Sequence, residues 1–544
     1  MGRLRPCVRA LVVLVIGAFP ASAVAGVAPN PVGEIDCNGL SPIQAPAHPT
    51  AACADPHGTW AGRFYDNGHY IGHDEPSVRF ISNAPGSGDD VTFVERLGYD
   101  PSQLPTVHQP GNDVTHYFEL TIAPWLSITV CDPKSAPMLP CKPESDSNAP
   151  SATSPGAGAG FVELQFYPPG FAPFVDSISC DDTHWCSALN IDSLECNPDG
   201  SNCNNDCPEP VNSAFIQRDG VPTGPPSPQE SDLASFTPNS GTLLMNPGDT
   251  IVIHMFDAKV PGGGHALEAS EYDVNTHQGG YMIASAANGF MNTSKADCSG
   301  TPFNFEPEYS SAATPNIIPW GAGPYMLNTE YEVGHFEPCT RVTGPQIFTQ
   351  DTFTDTYWTN CKGPYEAGGT DSKTNPDVEP DDSPCYPFGD THGGTTAPNL
   401  VTGCDVFFDA IGDLDYDGTP YWADWPTSGS PGRFPGTTAD AQPTSQGRTY
   451  PAIQFETDLA DTEPACDLLT GAGCTVPPPG PGHFYPYWTL VRDRQLGCTW
   501  QFGNAGATGQ SFGGDSQYGA VSFNPPGAFT SAIQPNPNCF SQRR

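Results

Sequence analysis

Hydrophobic and polar positions alternate along much of the chain. In TLLMNPGDTIVIHMFD (242–257) a Pro247-Gly248-Asp249 turn joins two runs rich in β-forming residues. Ile251, Ile253 and Met255 fall on one side of an extended chain, and Val252, His254 and Phe256 on the other. Both sides are largely apolar, so the pattern predicts a strand covered on both faces. Similar runs predict strands over 117–130 (YFELTIAPWLSITV), 161–167 (FVELQFY), 280–287 (GYMIASAA), 452–457 (AIQFET) and 485–491 (YPYWTLV).

With 62 Pro and 58 Gly, the chain is interrupted too often for long helices. Turn-rich stretches at 143–160, 219–232, 366–384 and 426–449 separate the predicted strands. Many short strands with such connections define an all-β fold, built as β-sandwich or jelly-roll-like domains with long Pro/Gly-rich loops. No repeat of fixed period is present. The strand-dense part thins after Cys339, which places an N-terminal β-sandwich region at 26–345 and a C-terminal β-rich region at 346–544.

Residues 1–25 read as an export signal. Arg3, Arg5 and Arg9 precede the apolar run 11–19, and the small residues of ASAVAG follow, with cleavage after Ala25. A membrane anchor needs roughly 18 or more apolar residues, and this run is about half that. No later segment is apolar enough to span a bilayer, so the expected product is secreted and extracellular. The formal charge of −41 repels phosphate backbones and argues against a nucleic-acid partner.

Of 19 cysteines, Cys7 leaves with the signal and an even number remains, the arithmetic of a disulfide-stapled protein in an oxidising compartment. Proximity suggests the pairs Cys37/Cys53, Cys131/Cys141, Cys466/Cys474 and Cys498/Cys539. The cluster Cys180, Cys186, Cys196, Cys203 and Cys207 lacks the paired C-x-x-C spacing of a zinc site, so disulfides are expected there too, with one partner outside the five.

One segment has metal-ligand spacing. GDLDYDGTPYWADW (412–425) sets Asp413, Asp415 and Asp417 at alternate positions, then Gly418, Thr419 and a closing Asp424. Alternating carboxylates converge on a hard cation as the chain curls, Gly418 permits the sharp turn, and Thr419 offers its carbonyl, which predicts a structural Ca2+ site. Asp closes the loop where helix-loop-helix sites use a bidentate Glu, and Pro426 would stop an exiting helix, so a loop among strands is expected. A solvated acidic turn is the alternative. Tyr416, Tyr421, Trp422 and Trp425 crowd the same segment; they are either core rings beneath the loop or a flat platform on which a sugar face can stack, with Tyr421, Trp422 and Trp425 as its candidates.

Catalytic patterns are weaker. The G-x-S-x-G match at 509–513 has no histidine after it, so the hydrolase order of nucleophile, acid and base is impossible. His69 and His73 stand four apart, but Gly68, Gly72 and Pro76 argue against the helix that would bring them to one metal. Glu306/Glu308, Glu330/Glu332 and Glu268/Glu271 are candidate carboxylate pairs for cleaving a glycosidic bond.

The segments DEPSVRFISNAPGSGDD (74–90), FVELQFYPPGF (161–171), WCSALNIDS (185–193), GYMIASAANGF (280–290), YEVGHFEPC (331–339) and YPAIQFETD (450–458) resemble a family of microbial secreted proteins of unknown function. The resemblance implies export and a common fold and carries no site residues. The expected protein is therefore a secreted, calcium-stabilised binder of extracellular polysaccharide. The alternatives are a secreted glycoside hydrolase or polysaccharide lyase that uses a carboxylate pair, and a structural surface or matrix protein.

Overall fold

The computed structural model describes residues 77–81, 88–98, 123–135, 140–141, 159–169, 181–193 (except 182), 212–222, 238–307 (except 295, 296 and 298), 327–332 and 335–348 (except 339), and elsewhere the short strands named below with scattered neighbouring residues. The described residues are predominantly strand, and helix among the named elements is confined to 3-10 turns such as Ala286–Asn288. The fold is all-β.

Two nine-stranded sheets dominate. In the first, the strands run in the order Ser213–Phe215, Cys186–Asp192, Ala159–Tyr167, Ala123–Ser127, Asn328–Glu332, Ser77–Ile81, Ala452–Glu456 and Ile533–Pro535, with Val130–Cys131 beside Ala159–Tyr167. The second runs Gln278–Ile283, His265–Asp273, Thr250–Lys259, Asp90–Arg96, Gly436–Ala441, Gly497–Phe502, Trp488–Asp493 and Ser516–Gln517, with Arg448–Thr449 beside Gly436–Ala441. The pairings within both are antiparallel. Each sheet takes strands from both sides of residue 345, which itself lies inside the strand Arg341–Phe348.

Alternation explains the core. Val91, Phe93, Ile251, Ile253, Met255, Leu267 and Ala269 lie on one face of the second sheet and are fully buried. Leu126, Leu164 and Leu189 form a matching buried row across the first sheet. Burying each large apolar side chain contributes about 1.5–3 kcal/mol. Contacts that pass from one sheet to the other include the T-shaped ring pair Phe80–Phe93 at 6.2 Å, the hydroxyl pair Thr329–Thr437 at 3.1 Å, and a 2.6 Å hydrogen bond from Ser187 to Glu271. The sheet edges also meet, because the Tyr281 N–H donates to the Gln217 carbonyl at 2.9 Å.

The strand Thr250–Lys259 departs from expectation on its second face. Val252, His254 and Phe256 are only half-buried, because this face carries the paired imidazole and acids described below. The expected single run 117–130 divides into Tyr117–Phe118, Ala123–Ser127 and Val130–Cys131. The first of these joins a third sheet of eight strands, ordered Arg341–Phe348, Thr356–Lys362, Cys385–Tyr386, Gly403–Asp405, His335–Pro338, Tyr117–Phe118, Tyr421–Trp422 and His483–Phe484. Cys131 and Cys141 are at disulfide distance, with Cα atoms 5.9 Å apart, and Cys186 is disulfide-bonded as well.

Candidate functional site

The residues of the calcium-type loop, Asp413, Asp415, Asp417, Thr419 and Asp424, lie outside the described residues, as do Tyr416 and Trp425. Tyr421 and Trp422 are described as a strand of the third sheet. Trp422 is in register with Tyr117 on a parallel neighbour and with His483 on an antiparallel one, and Tyr117 is in register with Phe336. Phe336, Tyr117, Trp422 and His483 therefore form one row across four adjacent strands. Residues in register share a face of the sheet, and three strand spacings of about 4.8 Å make the row roughly 14 Å long. Alternate positions carry a second set, His335 with Phe118 and Tyr421 with Phe484.

Each of the four strands contributes an adjacent pair of ring residues, Tyr117-Phe118, His335-Phe336, Tyr421-Trp422 and His483-Phe484. Aromatic side chains suit a pleated surface, which favours strand at these short dipeptides despite the Pro and Gly around them. Tyr421 and Trp422 stand out in the sequence within a local cluster of rings, whereas the other three pairs are scattered along the chain. The recurring dipeptide was the signal that could have found them.

A second concentration of chemistry sits on the half-exposed face of the Thr250–Lys259 strand. His254 is flanked in register by Thr92 and Ser270, and the next row holds Asp90, Phe256 and Glu268. The imidazole lies flat on Phe256, with centroids 4.2 Å apart, and its Nε2 is 2.9 Å from Asp90 Oδ1. With 36% of its side chain exposed, His254 is an imidazole oriented by a carboxylate and open to solvent. Burial raises the Glu268 carboxyl above its ordinary range, and the neighbouring His254 partly offsets that. Ser270 donates its hydroxyl to the His254 carbonyl at 3.3 Å, an arrangement that does not set it up as a nucleophile.

A second couple, His265 Nδ1 with Asp257 Oδ2, sits at the turn end of the same hairpin. Asp89 lies beside it and is pushed up to about 6, first by burial and then by the negative charges of Asp257 and Asp90. At the other end of the hairpin Asp249 is raised by burial and by the adjoining acid Asp273, against hydrogen bonds from Asn246 that lower it. This carboxylate pair, 24 residues apart in sequence, was not legible from spacing. Among the described residues no group of three or more His, Cys, Asp or Glu side chains is arranged to hold a metal ion.

The candidate carboxylate pairs fare differently. Glu268 and Glu271 point to opposite faces of one strand, the first half-buried and the second inward, so they cannot flank one bond. Glu330 and Glu332 lie two apart on the strand Asn328–Glu332 and share a face by alternation. Glu306 is described, and Glu308 lies outside the described residues. His69 belongs to the strand His69–Tyr70, paired with Tyr65–Asp66, and His73 lies outside the described residues.

Comparison of the chain with protein-family models, curated proteins and solved structures found no match. No helix among the described residues is long and apolar enough to cross a membrane.

Proposed function

We propose that this is a secreted, calcium-stabilised protein that binds extracellular polysaccharide through the aromatic face of its third sheet. The observation that carries the reading is the register row Phe336, Tyr117, Trp422 and His483. Flat rings present an apolar surface against which the C–H face of a sugar packs, and a row one strand apart repeats that surface along an extended glycan. The acidic composition and the N-terminal leader fit an extracellular role.

The calcium-type loop supports the same reading. Its ligand positions Asp413 to Asp424 bracket Tyr421 and Trp422, so a cation bound there would fix the strand that brings Trp422 into the row. Thin β layers that pack as a sandwich or jelly roll, stapled by disulfides, complete the proposed build.

A glycan array probed with the mature protein, followed by a reducing-sugar assay on every positive, tests the function. Binding without release is the expected outcome, lost in Trp422→Ala. Release that disappears in Glu330→Gln or Glu332→Gln would replace it with the hydrolase or lyase reading, and silence in both assays with a structural role. Calorimetric titration with Ca2+ tests the loop: wild type should give heat that Asp415→Ala abolishes, and equal heats would remove the cation from the account.

A further inference from the structure

The strand His265–Asp273 turns Leu267, Ala269, Glu271 and Asp273 inward, so alternation drives one carboxyl into the middle of an apolar face. Glu271 lies between Ile253 on one neighbouring strand and Gly280 on the other. Gly280 leaves no vacancy beside it. A Cβ built there would lie 2.9 Å from the Gln217 carbonyl oxygen and 3.0 Å from Ile216 Cγ2, both reaching in from the edge of the first sheet.

Glu271 is 3% exposed. Its Oε1 accepts a 2.6 Å hydrogen bond from Ser187, which is itself fully buried in the first sheet. Its Oε2 has no hydrogen-bond partner. Among the described residues no cation is hydrogen-bonded to it. The same inward alternation also carries the acids Glu95, Asp273 and Asp257, with His265 and Lys259 at the turn end of the hairpin, six residues along the strand from Glu271, where His265 is engaged by Asp257. The buried Arg96 occupies the opposite alternation, in register with Thr250 and Gly436. The flanking positions supply Ile253 and Gly280, and the facing strand supplies the Ser187 hydroxyl. One hydroxyl donor cannot replace the water that an ionised carboxylate loses on such burial.

We propose that Glu271 is a proton-held clasp: as the neutral acid it bridges the two nine-stranded sheets through Ser187, and its ionisation loosens the contact between them. Burial pushes the carboxyl up to about 8, and the Ser187 hydrogen bond pulls it only partly back. The unfolded chain releases this proton near 4.5 and the folded chain near 8. Stability from this group is therefore complete below about 4.5 and is lost as pH rises toward about 8. Over that window a single linked proton lowers the folding constant about tenfold per pH unit. A secreted protein with this clasp is firmest in acid and opens as its surroundings turn alkaline.

Denaturant midpoints of wild type and Glu271→Gln, measured from pH 4 to pH 9, test the clasp. The rest of this acidic protein also responds to pH, so the difference between the curves is what counts. The amide keeps an acceptor for Ser187 and cannot ionise, so the variant should gain on wild type steadily from pH 5 to pH 8. Parallel curves would overturn the proposal. If the variant does not fold, infrared spectra of wild type with isotope-labelled glutamate decide: a protonated carboxylic acid band must persist at pH 6.5 and vanish by pH 9. Its absence at pH 6.5 would overturn the proposal equally.

Discussion

Replacing Asp132 should cost this protein more stability than replacing any ordinary surface acid, and the structure sets the size. Asp132 is fully buried just after the strand Val130–Cys131. Its Oδ1 accepts from the Lys134 backbone N–H at 2.9 Å and from Asn292 Nδ2 at 2.6 Å, and its Oδ2 accepts from Ser135 Oγ at 2.8 Å and Ser193 Oγ at 2.6 Å. Ser193 in turn accepts from the Thr293 N–H at 3.2 Å. One carboxylate therefore joins a turn, the end of the strand Cys186–Asp192 and the strand Met291–Thr293. Asp132→Ala leaves the Ser135, Ser193 and Asn292 side-chain donors buried without this acceptor. At about 1–3 kcal/mol for each unsatisfied donor, and less than additively because they share one network, the loss is about 3–6 kcal/mol. Asp132→Asn keeps the shape, and the two serine hydroxyls can turn to accept from the new amide, so its cost should be about 1–2 kcal/mol. Urea unfolding followed by the fluorescence of the buried Trp125 and Trp185, with disulfides intact, reads both values. An Asp132→Ala protein within about 1 kcal/mol of wild type would refute the reasoning.

Converting Cys131 and Cys141 together to Ser should lower stability by about 2–3 kcal/mol, the loop-closure value for residues 10 apart, and an unchanged urea midpoint would contradict it. Gly280→Ala should cost about 1–3 kcal/mol because its methyl meets the Gln217 carbonyl. Thermal melts check this, with an unshifted Tm as the opposing result. Thr329→Val should destabilise by about 1–2 kcal/mol by stripping the Thr437 hydroxyl of its partner across the sheets, whereas Thr329→Val with Thr437→Val should recover most of the loss in a double-mutant cycle.

Much of the scaffold was legible because strand alternation is local. Ile251, Ile253 and Met255 announced a buried face, and Cys131/Cys141 announced a short loop. What stayed hidden depends on distant partners. The face bearing Val252, His254 and Phe256 looked covered because two of its three residues are apolar, yet Phe256 finds shelter under the His254 ring and needs no second layer. Asp132 gave no signal, since Ser193 and Asn292 lie 61 and 160 residues away. Glu268 and Glu271 seemed a pair at a spacing of three, which joins residues on a helix and separates them on a strand. For the site, Trp422 was visible as one of a local cluster of rings. Its row was not, because only the pairing of four short strands brings Phe336, Tyr117 and His483 into line with it.

Electrophoresis through native gels cast with soluble polysaccharides tests the aromatic row most directly, since a binding protein is held back in proportion to its affinity. Wild type should be retarded by at least one polysaccharide, and Trp422→Ala and Tyr117→Ala, folded by circular dichroism, should migrate as they do in an empty gel. Retardation that both variants keep in full would contradict the assignment of the third sheet as the binding face.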